Sequence, residues 1–274
     1  MHLHACVFAP RDRVRVLVRG GLARRTWRVT VARRAERFAA ELRRTLVDVA
    51  LVDLAGPGSA EAAALARDLP MIPFVGTAPF GVADAAAIAR AAEQGFADVL
   101  AEGVDDGALA PAAEALAFSR RFARVMHDPP PPLGLSSELQ LSAWRAIVTS
   151  AGRALSTRAV AAQCGVSREH LSRSFAANNG PTLKESIDLV RLLAAAQLAK
   201  CPAYDLTDVA RVLGFASASQ LSRLARRVVG RGASSLARLR GDDLVGLWAR
   251  TAGVAVVPRA GHLNTARLVI KFTS

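Results

Sequence analysis

The chain has 274 residues, of which 51% are apolar, and a formal net charge of +13. Such a length can bury one or two cores and suggests two domains, and the absence of any run of 18 uncharged apolar residues or of an apolar signal core argues against a membrane span and a secretory leader, so the expected location is cytoplasmic. Three scattered cysteines, Cys6, Cys164 and Cys201, exclude a disulfide framework and are expected to be plain thiols.

Residues 1–125 alternate short apolar runs with helical stretches. Strands are expected at Leu3–Phe8, Trp27–Val31, Val49–Leu54, Met71–Val75 and Ala97–Ala101, and helices at Asp12–Arg24, Arg33–Thr45, Ala60–Asp68, Val82–Gln94 and Asp106–Val125. Runs such as Val49-Ala50-Leu51-Val52 are apolar on both faces, as buried parallel strands are. Five such units make a flavodoxin-like, doubly wound parallel sheet. Within the first helix, Val14 to Val18 also reads as a strand. His2, His4 and Cys6 alternate on one strand face, but without a fourth ligand they imply no metal site. No nucleophile elbow, P-loop, GxGxxG or zinc spacing occurs, so no catalytic residue and no cofactor is expected.

This half resembles a response-regulator receiver domain through Asp48-Val49-Ala50-Leu51-Val52-Asp53-Leu54, then Pro70 to Thr77, then Gly95-Phe96-Ala97-Asp98-Val99-Leu100. The resemblance puts Asp53 in the phospho-acceptor place and Thr77 in that of the switch hydroxyl. The departures fall on the chemistry. Ala9-Pro10-Arg11-Asp12 stands where the family has paired acids for Mg²⁺, and Glu102-Gly103 where it has a Lys. A hard, octahedral Mg²⁺ then loses oxygen ligands and a phosphoryl group loses its counter-charge. Asp53 is read as a vestigial phospho-acceptor in a domain kept for dimerisation or ligand sensing.

Pro129 to Pro132, in the stretch 126–137, is expected to be an extended polyproline II linker. Helix Glu138–Ala151 follows, with Trp144 in the core. Residues 133–240 hold 15 Lys and Arg against 6 Asp and Glu, whereas residues 1–132 hold 17 against 15. The basic excess lies in the second half and draws it toward phosphates. The first 44 residues are also basic, 12 against 3, and residues 45–132 acidic, 5 against 12. That asymmetry is read as a solvated Arg-rich face, with a secondary DNA or acidic-partner surface as the alternative.

Between Leu155 and Arg240 one pattern occurs twice. Val160, Ala161, Cys164, Gly165, Val166, Leu171, Ser172, Arg173 and Phe175 are repeated by Val209, Ala210, Leu213, Gly214, Phe215, Leu221, Ser222, Arg223 and Ala225. A small Ala at a helix crossing and a Gly four residues later, able to take φ > 0, spell helix-turn-helix. Ser167 and Ser217 are the expected caps of the second helices, and Ser217 with Gln220 makes a capping box. Thr182 to Lys200 is expected to join the copies as one helix. Leu155-Ser156, Gly165-Val166-Ser167, His170-Leu171-Ser172-Arg173-x-Phe175, Gly180-x-Thr182-x-x-Glu185, Arg191 and Gly230 add to a resemblance to AraC/XylS-type transcription regulators. Leu183 and Ala233 stand at family prolines, Ala225 and Leu236 at family aromatics.

This resemblance and the basic charge imply a sequence-specific DNA-binding transcription regulator with domains at 1–125 and 138–240. Residues 241–274 are left unassigned beyond a helical turn at Leu244–Trp248 and a hairpin from Gly253–Pro258 and Leu268–Phe272. Arg168, Glu169, Ser172 and Arg173 are expected to face DNA from the first copy, and Ser219, Gln220, Ser222, Arg223 and Arg226 from the second. Arg suits guanine, Gln adenine and Glu the cytosine amine. Thr157 and Thr207 are expected near phosphates. Double-stranded DNA, a second copy of the chain through residues 1–125 and RNA polymerase are the expected partners, with no membrane. The alternatives are a ligand sensor with a pocket in the α/β half, and a protein-interaction module whose second helix-turn-helix has decayed.

Overall fold

The computed structural model describes residues 2–79, 81, 85–176 and 180–253. The described residues form two compact units, one of residues 2–121 with Cys201–Tyr204, the other of Phe122–Lys200 with residues 205–253.

In the first unit β1 (Leu3–Phe8), α1 (Asp12–Gly21), β2 (Trp27–Ala32), α2 (Ala35–Arg44), β3 (Val49–Asp53), α3 (Ser59–Asp68), β4 (Phe74–Ala78), α4 (Ala85–Glu93), β5 (Asp98–Ala101) and α5 (Leu109–Leu116) alternate. All strands are parallel in the order β2-β1-β3-β4-β5, the doubly wound flavodoxin-like order that receiver domains share. One sheet face carries a run of rings, Phe8, Phe38, Phe74 and Phe96, with successive centroids 6.0, 6.2 and 5.7 Å apart. The other buries Val7, Val14, Val18, Trp27, Leu51 and Leu109. Val14 to Val18 is helical: α1 buries Val14, Leu17 and Val18 at helical spacing and leaves Val16 exposed.

Several expectations are corrected. β4 spans Phe74–Ala78 rather than Met71–Val75, because Pro73 has no N–H for the ladder; its carbonyl accepts the Ala50 N–H at 2.9 Å, and pairing runs on from there. Thr77 therefore lies inside the strand. The expected helix Asp106–Val125 is a 3₁₀ turn at Asp106–Ala108 followed by two helices, α5 and α6 (Phe118–Val125), broken at Ala117. Asp48 causes the break. Its carbonyl accepts the Phe118 N–H and its Oδ1 the Ser119 N–H, both at 2.9 Å, while Oδ2 accepts the His4 N–H at 2.8 Å. A buried carboxylate thus caps α6 from 70 residues upstream. The proline run is extended only in part: Pro130 has φ −53° and ψ 136°, but Pro131–Leu133 is a 3₁₀ turn ended by Gly134 in the left-handed region, with Leu133 buried. Proline fixes φ near −65°, which suits 3₁₀ backbone as well as polyproline II.

In the second unit α7 (Glu138–Thr149) begins at a Ser137–Gln140 capping box and buries Trp144, whose Nε1–H donates to the Met126 carbonyl at 2.8 Å. Helices α8 (Thr157–Gln163), α9 (Arg168–Ala176), α10 (Leu183–Leu198), α11 (Leu206–Val212), α12 (Ala218–Val229) and α13 (Gly241–Thr251) follow. α10 is buried along most of its length and runs through the middle of the unit. α13 packs on α10 and α12, burying Leu244 and Trp248, so the helical turn read at Leu244–Trp248 is part of an 11-residue helix. The expected hairpin at Gly253–Pro258 and Leu268–Phe272 lies outside the described residues save Gly253.

Candidate nucleic-acid interface

The two copies fold alike. In the first, Gly165 takes φ 69° and the Val166 N–H donates to the Ala161 carbonyl at 3.1 Å; in the second, Gly214 takes φ 71° and the Phe215 N–H donates to the Ala210 carbonyl at 2.8 Å. Only glycine occupies that backbone region at no steric cost. Leu171 and Phe175, like Leu221 and Ala225, are buried beneath the second helices. Ser167 Oγ accepts the His170 N–H at 3.1 Å and Ser217 Oγ the Gln220 N–H at 3.2 Å, capping α9 and α12. The capping box is modified: Gln220 Oε1 accepts the Ala216 N–H at 2.7 Å, one residue before the cap.

Arg191 on α10 holds the two copies to one frame. Its Nε donates to the Gly152 carbonyl ahead of the first copy at 3.3 Å, its Nη2 to the Leu213 carbonyl in the second copy's turn at 3.1 Å, and its guanidinium lies 3.7 Å from the centre of the Phe215 ring. Burial pulls its pKa below the usual value, with Asp188 opposing. Asp188, almost fully buried, accepts from Arg227 on α12 at 2.7 Å and from Lys184. The sequence flagged Arg191 through its family position but missed the Arg227–Asp188 pairing, since residues 39 apart carry no local signal.

Arg168, Glu169, Ser172 and Arg173 are all exposed on α9. Ser219, Gln220, Arg223 and Arg226 are exposed on α12, and Ser222 is half-buried. Glu169 meets Arg168 Nε at 3.2 Å, and its own backbone N–H and then Arg168 hold its carboxyl below the usual value. Thr157 opens α8 after the neutral cap Ser156, whose Oγ accepts the Ala159 N–H at 3.1 Å. Thr207 lies in the first turn of α11, where the cap is charged: Asp205 Oδ1 accepts the Asp208 N–H at 2.7 Å.

In the first unit Asp53 is fully buried at the end of β3, beside Thr77 on β4. Arg11 meets it from the β1–α1 loop, Nε at 2.8 Å from Oδ1 and 3.0 Å from Oδ2, Nη2 at 2.5 Å from Oδ1. The same guanidinium pairs with Glu102. Burial lowers the Arg11 pKa, but the bonds to Asp53 and Glu102 outweigh it and the net shift is upward. Gly56 lets the next loop close over the site, since a Cβ there would come within 2.3 Å of Pro10 Cγ and 2.9 Å of Asp53 Oδ2. The Thr77 hydroxyl is buried and has no hydrogen-bond partner among the described residues. Arg11 therefore bridges both acids, one positive charge set between two negative ones. His4 and Cys6 are not brought together as ligands: His4 Nε2 lies 2.9 Å from Thr30 Oγ1, and burial pushes the Cys6 thiol up to about 12.

The family model described as a helix-turn-helix domain matches residues 160–238, and that segment is an AraC-type domain, the DNA-binding module of transcription regulators. No curated protein matches the chain. Among solved structures, full-length FixJ from B. japonicum is similar at 16% identity and a TM-score of 0.38, covering 81% of this chain and 95% of that one. NtrX from Brucella abortus, in complex with ADP, is similar at 18% identity and a TM-score of 0.40, covering 60% of this chain and 40% of that one. The receiver-like character of the first unit stands on its own strand order. Among the described residues no helix is long and apolar enough to cross a membrane.

Proposed function

We propose that the chain is a sequence-specific regulator that sets α9 and α12 into adjacent major grooves on one DNA face. The observation that carries this reading is the matched geometry of the two turns, each followed by a capped helix with an exposed Arg at the same place, Arg173 and Arg223. α10 has 16 residues, which at 1.5 Å each span about 24 Å. Successive grooves on one face are about 34 Å apart, and the flanking turns with some DNA bending supply the rest.

Arg168, Arg173, Arg223 and Arg226 suit guanine O6 and N7, Glu169 suits the cytosine amine, and Ser172, Ser219 and Ser222 accept or donate to either strand. Gln220 commits its carbonyl to the Ala216 N–H, so it keeps its amide N–H groups for DNA and loses the bidentate match to adenine. Thr157 and Thr207, in the first turns of α8 and α11, are read as phosphate contacts through backbone N–H groups. The α/β unit is read as a dimerisation module in which Arg11 replaces the cation and phosphoryl chemistry of a receiver, leaving Asp53 a structural carboxylate. RNA polymerase is the further partner of a regulator that acts in the cytoplasm.

Sequencing of genomic fragments selected by the full chain tests this. The expected result is a motif of two segments about 10 base pairs apart, one per helix. A single segment whose preferences vanish on Arg173→Ala alone would reduce the interface to one helix, and the absence of any motif would end the specific-regulator reading. Acetyl phosphate with Mg²⁺ is expected to add no mass; a stable adduct on Asp53 would overturn the account of the first unit.

A further inference from the structure

Among the described residues β2 pairs with β1 only and forms a rim of the sheet. Side chains alternate along a strand, so Trp27, Val29 and Val31 share the face toward α1. α1 covers the inner part of that face: Trp27 is 3% exposed, but Val29 is half-buried and Val31 is 44% exposed. Past the edge of α1 lies a groove of about 870 Å³ with Val18, Leu22, Trp27, Val29 and Val31 along its floor. Its volume falls in the range of small-molecule sites, about 300–1,000 Å³.

The rim is cationic. Arg19 reaches it from α1, Arg24 from the α1–β2 turn, Arg33 from just past β2, and Arg28, whose side chain starts on the opposite sheet face, around the open edge of β2; no described acid lines it. Arg15, also on the rim, is spent on the Ala9 and Pro10 carbonyls and on Asp12. The other four arginines have no ion pair or hydrogen bond to a described residue. A second observation is independent of charge: the Trp27 Nε1–H is buried and finds no acceptor among the described residues. Buried indole donors are ordinarily paired.

These features constrain the occupant. A solvated arginine face needs no apolar floor. A nucleic-acid backbone answers the charge and leaves the floor wet, whereas a wholly apolar ligand answers the floor and leaves four cations unmatched. We propose that the α1–β2 groove binds a free anionic amphiphile, an acyl or aryl body on the valine floor with its carboxylate or phosphate among Arg19, Arg24, Arg28 and Arg33. This site gives the α/β unit a small-molecule input. It does not rest on the DNA reading and can fail or hold without it.

Calorimetry on the full chain with dodecanoate below its micelle concentration tests the site. The expected result is one molecule bound per chain, no binding of dodecyltrimethylammonium, and octanoate weaker by at least about tenfold because four fewer methylenes are buried. The double variant Arg24→Glu/Arg28→Glu, at exposed positions, is expected to weaken dodecanoate by at least about tenfold with an unchanged thermal unfolding midpoint. Val31→Asp, also exposed, probes the floor and is expected to do the same. Absence of heat with dodecanoate, equal affinity for the cationic chain, or full binding by the double variant would overturn the proposal. So would a groove that answers only to a short DNA duplex or to phosphatidylglycerol vesicles, with dodecanoate silent.

Discussion

The first helix-turn-helix turns at Gly165 with φ 69° and the second at Gly214 with φ 71°, yet the helices that follow are secured differently. α9 is nine residues long and rests on Leu171 and the ring of Phe175. α12 is 12 residues long, has only Ala225 at the place of that ring, and is held from outside itself by Arg227 on Asp188 of α10 and by α13 with Trp248. The family aromatics missing at Ala225 and Leu236 are thus offset by a helix beyond Arg240, where the family resemblance ends. Conserving a turn and conserving its packing are separate problems, and the second copy solves the second one with long-range partners.

The largest expected effects test that division of labour. Phe175→Ala and Trp248→Ala, each emptying a buried ring site, should each cost about 3–5 kcal/mol in urea unfolding. A loss below 1 kcal/mol for Trp248→Ala would show that α12 does not lean on α13. Next in size is readout. Arg173→Ala should weaken specific DNA binding by about 1–3 kcal/mol and relax preference at one or two positions, and Arg223→Ala should cost less. Equal losses on specific and random DNA would mean the arginines meet phosphates alone. The smallest effect lies in the caps. Asp205→Asn keeps a side-chain cap but removes a negative charge that Ser156 does not have, so affinity should rise by about 0.5 kcal/mol at low salt. The gain should fade as salt is raised, and a loss of affinity would sink the electrostatic explanation.

The strands and both turns were legible because burial on two faces and a Gly four residues after a crossing Ala are local patterns. The bases of error were non-local or chemical. The break between α5 and α6 depends on Asp48, whose carboxylate also serves β1, and nothing near Ala117 announces it. The start of β4 depends on one missing N–H at Pro73, and the turn at Pro131–Leu133 on a φ value that fits two conformations. At the candidate interface the outward residues follow from helical periodicity, so their exposure could be read ahead, save for Ser222, which is half-buried. The engagement of Gln220 with Ala216 could not, because a capping box and its one-residue variant have the same sequence. Around Asp53 the missing acids and lysine were plain, but the ion that replaces them sits 42 residues earlier, in the stretch Ala9-Pro10-Arg11-Asp12.

The guanidinium of Arg11 between Asp53 and Glu102 has a thermodynamic consequence. A carboxylate cluster neutralised by a dissolved cation gains stability by mass action, as RT ln(1 + [L]/Kd), and so varies with the medium. A cation carried on the same polypeptide has no bulk concentration to vary. The positive charge at the head of this sheet is therefore set when the chain is synthesised and does not depend on a metal ion that a chelator could remove.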